Sequence, residues 1–312
     1  MAGAWGFDAV DGPAARLSPG QQRDGVDFIL PTHRPQPVQP IDLAIGQPVQ
    51  ESSQFPQPMT ATRIPFSFTL DGVRIDNGQI YLPAQPARSE IGNHPGGTGP
   101  SDGGIPTLVI IYPSHPLNWN AASVALTWDG NPVLALGPHS SGGLDIDQHA
   151  RTYRAALQLW QSGQLAPLGQ PGDDWAAMAG SFSSLILFRA LQDLPAMPPT
   201  IVAVGGVSDA FLGVQALYDA DLAIPAPYDS AVAALGRPDR DPAFFYGFSP
   251  VFYADRLPPT LVIHTTNDEV IPSNQAEALA AALASGRRAA RAAALRGHDP
   301  LPGRLQPNAG DA

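Results

Sequence analysis

The chain contains no cysteine and no lysine. The first absence excludes disulfides, thiolate metal sites and a cysteine nucleophile. The second removes a P-loop lysine, a Schiff-base lysine and a Ser-Lys dyad, and leaves arginine at all 17 basic positions. Positive charge is scarce: the net charge is −11. A chain this acidic lacks the electrostatic footprint for nucleic acid or an anionic membrane surface. No apolar run approaches the ~18 residues of a spanning helix, so no integral membrane segment is expected. The first residues, MAGAWGFDAVDGP, show neither a basic start nor an apolar stretch. The default expectation is therefore cytoplasmic, with an extracytoplasmic location open if the true start lies upstream. There is no H-E-x-x-H and no close His/Asp cluster, so no metal and no organic cofactor is expected. Asp145 and Asp147 resemble a carboxylate pair but read better as helix caps.

What is present suffices for one large core or two small ones: 312 residues, 44% of them hydrophobic. Residues 1–60 are rich in Pro and Gln and show little periodicity, which predicts an extended or poorly ordered arm. A single domain is expected over 61–303 and a tail over 304–312. Ile64 to Leu70 alternates and ends at Asp71-Gly72, a hairpin signal. Val73 to Ile75 runs to Asn77-Gly78, a second such signal, followed by Gln79 to Leu82. The pattern predicts an antiparallel meander.

After a Pro/Gly/Ser loop the pattern changes. Thr107 to Tyr112 is a continuous apolar run, as in a strand buried on both faces. Shorter runs follow at Val133–Leu136, Trp175–Ala179, Ile201–Val204 and Leu261–His264. Helical stretches separate them. Asp147 can cap one that places Ala150, Tyr153, Leu157 and Trp160 on one face. Leu185, Phe188 and Leu191 stripe a second. Ser273 can cap a third, with Ala276, Leu279, Ala280 and Leu283 inward and Gly286 closing it. Strand-helix alternation predicts an α/β fold: a mostly parallel sheet with antiparallel N-terminal strands and helices on both faces.

A catalytic serine must be lifted out of the fold on a sharp strand-to-helix turn, with small residues two before and two after it. Ala179-Gly180-Ser181-Phe182-Ser183 satisfies this, with Ala and Ser where glycine is usual. Ser183 is a poorer candidate because Leu185 would crowd its turn. Ser208, in Gly206-Val207-Ser208-Asp209-Ala210, also follows a strand, but its downstream helix is weaker. The acid should follow a later strand. Asp268 and Glu269 both sit after Leu261–His264, with Asp268 nearer the strand end and its shorter side chain the tighter orienter. His298 is the only histidine beyond that loop and is the candidate base. His264 reads as a packing or bonding residue at its strand end, and His139 as a loop residue that could line the site. Trp119, Trp128, Phe244, Phe245 and Tyr246 could line an acyl pocket, although such aromatics are more often core.

From Trp175 to Pro300 the chain resembles the catalytic domain of the prolyl oligopeptidase family, within the α/β-hydrolase superfamily. The resemblance is carried by AGSFSS, VAVGGVSDAF, SPVFYADRLPPTLVIHTTNDEVIPSNQAEALAAAL and RGHDP. It implies an α/β-hydrolase fold with Ser181 as nucleophile, Asp268 as acid and His298 as base, and it places Ser208-Asp209 in a structural loop. The stretch before residue 107 is too short for the propeller common in that family, so size gating by a propeller is not expected. Where the family usually carries a His-Gly-Gly type turn, this chain reads Tyr112-Pro113-Ser114-His115. Pro113 has no N–H to donate, so the N–H of Ser114, paired with that of Phe182, is the candidate oxyanion hole. The Tyr112 hydroxyl is a further candidate. The expected activity is a serine hydrolase cleaving small esters or short peptides. The alternative is a non-catalytic relative serving as a binding or structural module. The sequence does not set the oligomeric state.

Overall fold

The computed structural model of the protein describes residues 36–84, 106–139, 143, 145–169, 174–215, 232–233, 235–285 and 290–295. They form one ten-stranded sheet. Its strands are β1 (Ile41–Ile45), β2 (Val49–Ser53), β3 (Met59–Leu70), β4 (Val73–Pro83), β5 (Thr107–Ile111), β6 (Val133–Leu136), β7 (Trp175–Gly180), β8 (Thr200–Val204), β9 (Thr260–Thr265) and β10 (Ala290–Leu295). The order across the sheet is β1-β3-β4-β6-β5-β7-β8-β9-β10, and β2 also pairs with β3. The pairings among β1 to β4 and of β4 with β6 are antiparallel; those from β6 through β10 are parallel. This is the expected mixed, mostly parallel sheet. The order doubles back at β5, which lies between β6 and β7. Such a switch point opens a crevice at the carboxyl ends of the strands, where ligands bind in open α/β sheets.

Helices cover both faces. Helix α1 (Asn120–Leu126) buries Val124 in a small cluster with Tyr81, Ile110, Tyr112, Val133 and Ala135. On the other side α2 (Ile146–Gln161), α3 (Ser183–Gln192) and α5 (Asn274–Ser285) contribute to the main core, with α4 (Pro242–Gly247) in between in chain order. The expected stripes are buried there: Ala150, Tyr153, Leu157 and Trp160 on α2, Leu185, Phe188 and Leu191 on α3, Leu279 and Leu283 on α5. Gly286 lies outside the described residues.

Three local expectations are corrected. Part of the expected arm is ordered sheet: residues 41–45 and 49–53 form β1 and β2. Their side chains are mostly exposed, so no apolar alternation marks them; backbone pairing to β3 makes them strands. Residues 1–35 of that arm lie outside the described residues. The arm is also tied down, since buried Arg154 donates to the carbonyl of Gln36 at 2.9 Å while pairing with Asp193 at 2.9 Å. Asn77-Gly78 is not a turn. It lies within β4, where the register against β3 shifts between Phe66 and Phe68. The extra residue of such a bulge bends the strand locally. Gly78 faces the ring of Phe66, and a Cβ there would sit 2.4 Å from it. The true hairpin turn is Asp71-Gly72, both at positive φ (51° and 79°), as a two-residue type I′ loop requires. Finally, α2 is capped by Asp145, which accepts from Gln148 N at 3.0 Å; Asp147 pairs with Arg189 at 2.6 Å instead.

Candidate active site

Strand β7 ends at Gly180 and α3 begins at Ser183, leaving two residues for the turn. Ser181 occupies it with φ +52°. The left-handed region costs a residue with a Cβ roughly 1–2 kcal/mol, so the surroundings must hold it there. Three hydrogen-bonding groups do so. Ser181 N donates to Val204 O at 3.0 Å. Ser184 Oγ donates to Ser181 O at 2.7 Å and accepts from Val207 N at 3.1 Å, joining the turn to the loop after β8. Ser183 Oγ accepts from Gly180 N at 3.1 Å and lies 2.5 Å from Ile111 O and 2.7 Å from Gly180 O. The last contact set explains the serine found where glycine is usual: its hydroxyl ties the turn to the neighbouring β5. The tight fit continues at Gly206, where a Cβ would meet Ser184 Cβ and Oγ at 2.6 Å.

The three candidate serines separate on geometry. Ser183 and Ser208 are buried, and their hydroxyls are engaged, Ser208 Oγ with the carbonyl of Gln275. Gln275 Oε1 also accepts from Ser208 N and Asp209 N, both at 2.9 Å, so that segment is a fixed loop. Ser181 alone of the three lines the cleft above the sheet.

Asp268 lines the same cleft, with its side chain 21% exposed. Its two oxygens differ. Oδ1 accepts from Val270 N and Ile271 N, both at 2.9 Å. Oδ2 lies toward Gly205, 3.5 Å from where a Cβ would stand, and Gly205 itself needs its φ of +52°. Neighbouring Glu269 is exposed and outside the cleft lining. Buried His264, at the end of β9, donates Nε2–H to Ile271 O at 2.7 Å; a carbonyl only accepts, so Nε2 carries the proton. The same Nε2 is 3.6 Å from Asp268 Oδ2, beyond hydrogen-bond range. One oxygen of the Asp268 carboxylate thus accepts two loop N–H groups and the other lies toward Gly205.

His298 lies outside the described residues. Strand β10 precedes it in the sequence, runs parallel to β9 and ends with Leu295 opposite Thr265, where the loop carrying Asp268 begins.

The other wall of the cleft comes from the turn after β5. Tyr112, Pro113 and Trp119 line it. Ser114 Oγ accepts from Trp119 Nε1 at 3.0 Å and from Asn118 Nδ2 at 3.2 Å. The Ser114 carbonyl approaches Gly137 so closely that a Cβ there would stand 2.1 Å away. Phe182 is the N-cap of α3 and makes no side-chain capping bond; Ser184 N and Leu185 N donate to the carbonyls of Ser181 and Phe182, both at 3.1 Å. Tyr112 OH shares a hydrogen bond with Ser123 Oγ at 2.9 Å, and burial pushes the phenol up to about 12. It is a neutral, already engaged hydroxyl.

Further from the cleft, His139 is buried beyond β6 with its ring edge-on to that of His149, 4.9 Å between centroids. Phe244, Phe245 and Phe248 pack on one another, the last two fully buried, as core. Trp128 is exposed and outside the cleft lining. Gly205, Val270 and Ile271 were not singled out from the sequence. A φ above zero at Gly205 and a carboxylate turn at residues 268–271 leave no periodic signal. Among the described residues no group of three His, Asp or Glu could hold a metal ion, and no helix is long and apolar enough to cross a membrane.

No family model matches the chain, and no curated protein matches it. Solved structures do. Carboxyl esterase 2 from the mycorrhizal fungus Tuber melanosporum aligns with a TM-score of 0.52 at 12% identity, over 80% of this chain and 77% of the fungal one. A truncated carbohydrate esterase from gut microbiota aligns at 0.51 and 18% identity, over 71% of this chain and 82% of that one. A puromycin hydrolase aligns at 0.50 and 16% identity, over 83% of this chain, which spans only 35% of that longer protein. Together with the strand order, these likenesses define the fold as the α/β-hydrolase fold.

Proposed function

We propose that the protein is a serine hydrolase that cleaves small esters through an acyl-enzyme on Ser181. The observation that carries this reading is the positive φ of Ser181 on a strand-turn-helix, in one cleft with a carboxylate that keeps an oxygen for a partner. A strained non-glycine residue at a switch point is maintained for a reason, and presentation of a nucleophile is the reason that fits.

In the proposed reaction His298 takes the Ser181 proton as Oγ attacks the ester carbonyl. Asp268 Oδ2 accepts from the other ring nitrogen and stabilises the imidazolium. The register of β10 supports the assignment of the base. Its last residue, Leu295, lies opposite Thr265 at the start of the Asp268 loop and precedes His298 by three positions in the sequence. The tetrahedral oxyanion is held by the N–H of Phe182, at the positive end of α3, and by that of Ser114. His298 returns its proton to the leaving alcohol, and water repeats the cycle to release the acid. Short peptides use the same residues and form the second substrate class. The chemistry requires no metal or organic cofactor.

The test is covalent labelling with a fluorophosphonate, beside hydrolysis of a panel of p-nitrophenyl esters and chromogenic peptides. Wild type labels and Ser181→Ala does not. A folded wild type that neither labels nor turns over any member of the panel refutes the proposal and favours a binding role.

A further inference from the structure

We infer that the cleft selects esters carrying a flat, uncharged aromatic ring, which stacks on Trp119. The inference rests on the hydrolase reading above and adds a substrate class to it.

Trp119 is 38% exposed and lines the same cleft as Ser181, whose volume is about 300 Å³. Its orientation is fixed twice. One face lies against Tyr112, with ring centroids 5.2 Å apart and planes 2° from parallel. Its Nε1–H donates to Ser114 Oγ at 3.0 Å. Tyr112 is held in turn by Ser123 and by burial. The indole therefore presents no unused N–H. What it offers is one open π face, already ordered, so a ring that lands on it costs little side-chain entropy. Elsewhere in the lining, Val270 is 44% exposed and Ile271 stands beside it. Among the described lining residues none is basic and the one carboxylate is Asp268. Nothing there offsets a negative charge on the substrate. Flatness, neutrality and an apolar periphery are the properties this wall recognises.

The stack sets the exposed Trp119 on a buried partner, Tyr112. The aromatic cluster of α4 differs: Phe245 and Phe248 are buried core and offer no surface.

The experiment compares pairs of esters that differ in flatness and little else, with release of acid followed by a pH indicator. Ethyl 3-phenylpropanoate against ethyl 3-cyclohexylpropanoate probes the acyl side. Benzyl acetate against cyclohexylmethyl acetate probes the alcohol side. Stacking of about 0.5–1.5 kcal/mol converts to a preference in kcat/KM of roughly 2- to 12-fold for the flat member. That preference is expected on one side in the wild type, to persist in Trp119→Phe and to fall to about one in Trp119→Leu. Because the ratio within a pair is read, a general loss of activity in a variant cancels. A wild type that hydrolyses both members equally on both sides, or prefers the puckered ring as a sugar-like face would, overturns the inference and needs no variant. An unchanged ratio in Trp119→Leu overturns it as well. A wild type inactive on all four esters and unlabelled by the fluorophosphonate overturns the hydrolase reading instead, and this inference falls with it.

Discussion

Replacing His264 by leucine is expected to damage the site through Asp268, without touching substrate. The His264 Nε2–H holds the Ile271 carbonyl at 2.7 Å, and Ile271 N together with Val270 N holds Asp268 Oδ1. Leucine removes the donor and orphans an acceptor. A fully buried orphan costs about 1–3 kcal/mol. Ile271 is only partly buried, so the lower part of that range, about 1–2 kcal/mol, applies here. If the acid loop relaxes to recover water, that energy reappears as misorientation of Asp268, about 5- to 30-fold in kcat at this scale. KM should move less than kcat, since Trp119 and Tyr112 are untouched and only the Val270–Ile271 edge of the lining shifts with the loop. The melting temperature should fall by roughly 2–4 °C for each kcal/mol lost. His264→Gln is the rescue, because its amide nitrogen reaches about as far as Nε2 and keeps the donor. The decisive assay is a double-mutant cycle with Asp268→Asn. A residue that acts through the acid has little left to lose in that background. If His264→Leu costs the same factor with and without Asp268, or if the glutamine variant is as impaired as leucine, the proposed chain from His264 to Ile271 to Asp268 is wrong.

Two further outcomes follow from the geometry. Gly206→Ala would place a Cβ 2.6 Å from Ser184, whose hydroxyl holds both Ser181 O and Val207 N. We expect about 1–3 kcal/mol of destabilisation from overpacking, read by urea unfolding, together with slowed fluorophosphonate labelling; wild-type labelling would show that the turn does not depend on this contact. Burial holds His139 and His149 below the ordinary 6.5, with their mutual repulsion adding to the shift at His139. The unfolded chain then binds more protons than the folded one just below pH 6.5, so stability is complete above that value and declines as pH falls through the depressed folded values. Melting temperatures taken from pH 7.5 to 5.5 should drop, and drop less steeply in a His139→Gln, His149→Gln variant. A flat profile in the wild type would contradict the burial of this pair.

The central strands were legible because parallel strands covered on both sides need unbroken apolar runs, and β5, β6, β8 and β9 are such runs. Strands β1 and β2 were not, because their side chains face solvent and only β3 makes them strands. Asn77-Gly78 misled because a turn signal is local, whereas the ring of Phe66, eleven or more residues away along the chain, decides that glycine's role. At the site, sequence ranks Ser181 and Asp268 above their rivals, and both line the cleft. The contacts around them, the Ser183 hydroxyl on β5, the two loop N–H groups on Asp268 Oδ1 and the Tyr112–Trp119 stack, depend on partners in other turns and strands. No spacing rule carries that information.

Ser183 reaches across to the carbonyl of Ile111, the residue immediately before Tyr112. The serine turn and the aromatic wall are therefore gauged from one shared point. If the sheet twists or breathes as a body, both sides of the opening travel together and the gap between them is preserved. A protein arranged this way can tolerate drift at its periphery while the aperture keeps its dimensions.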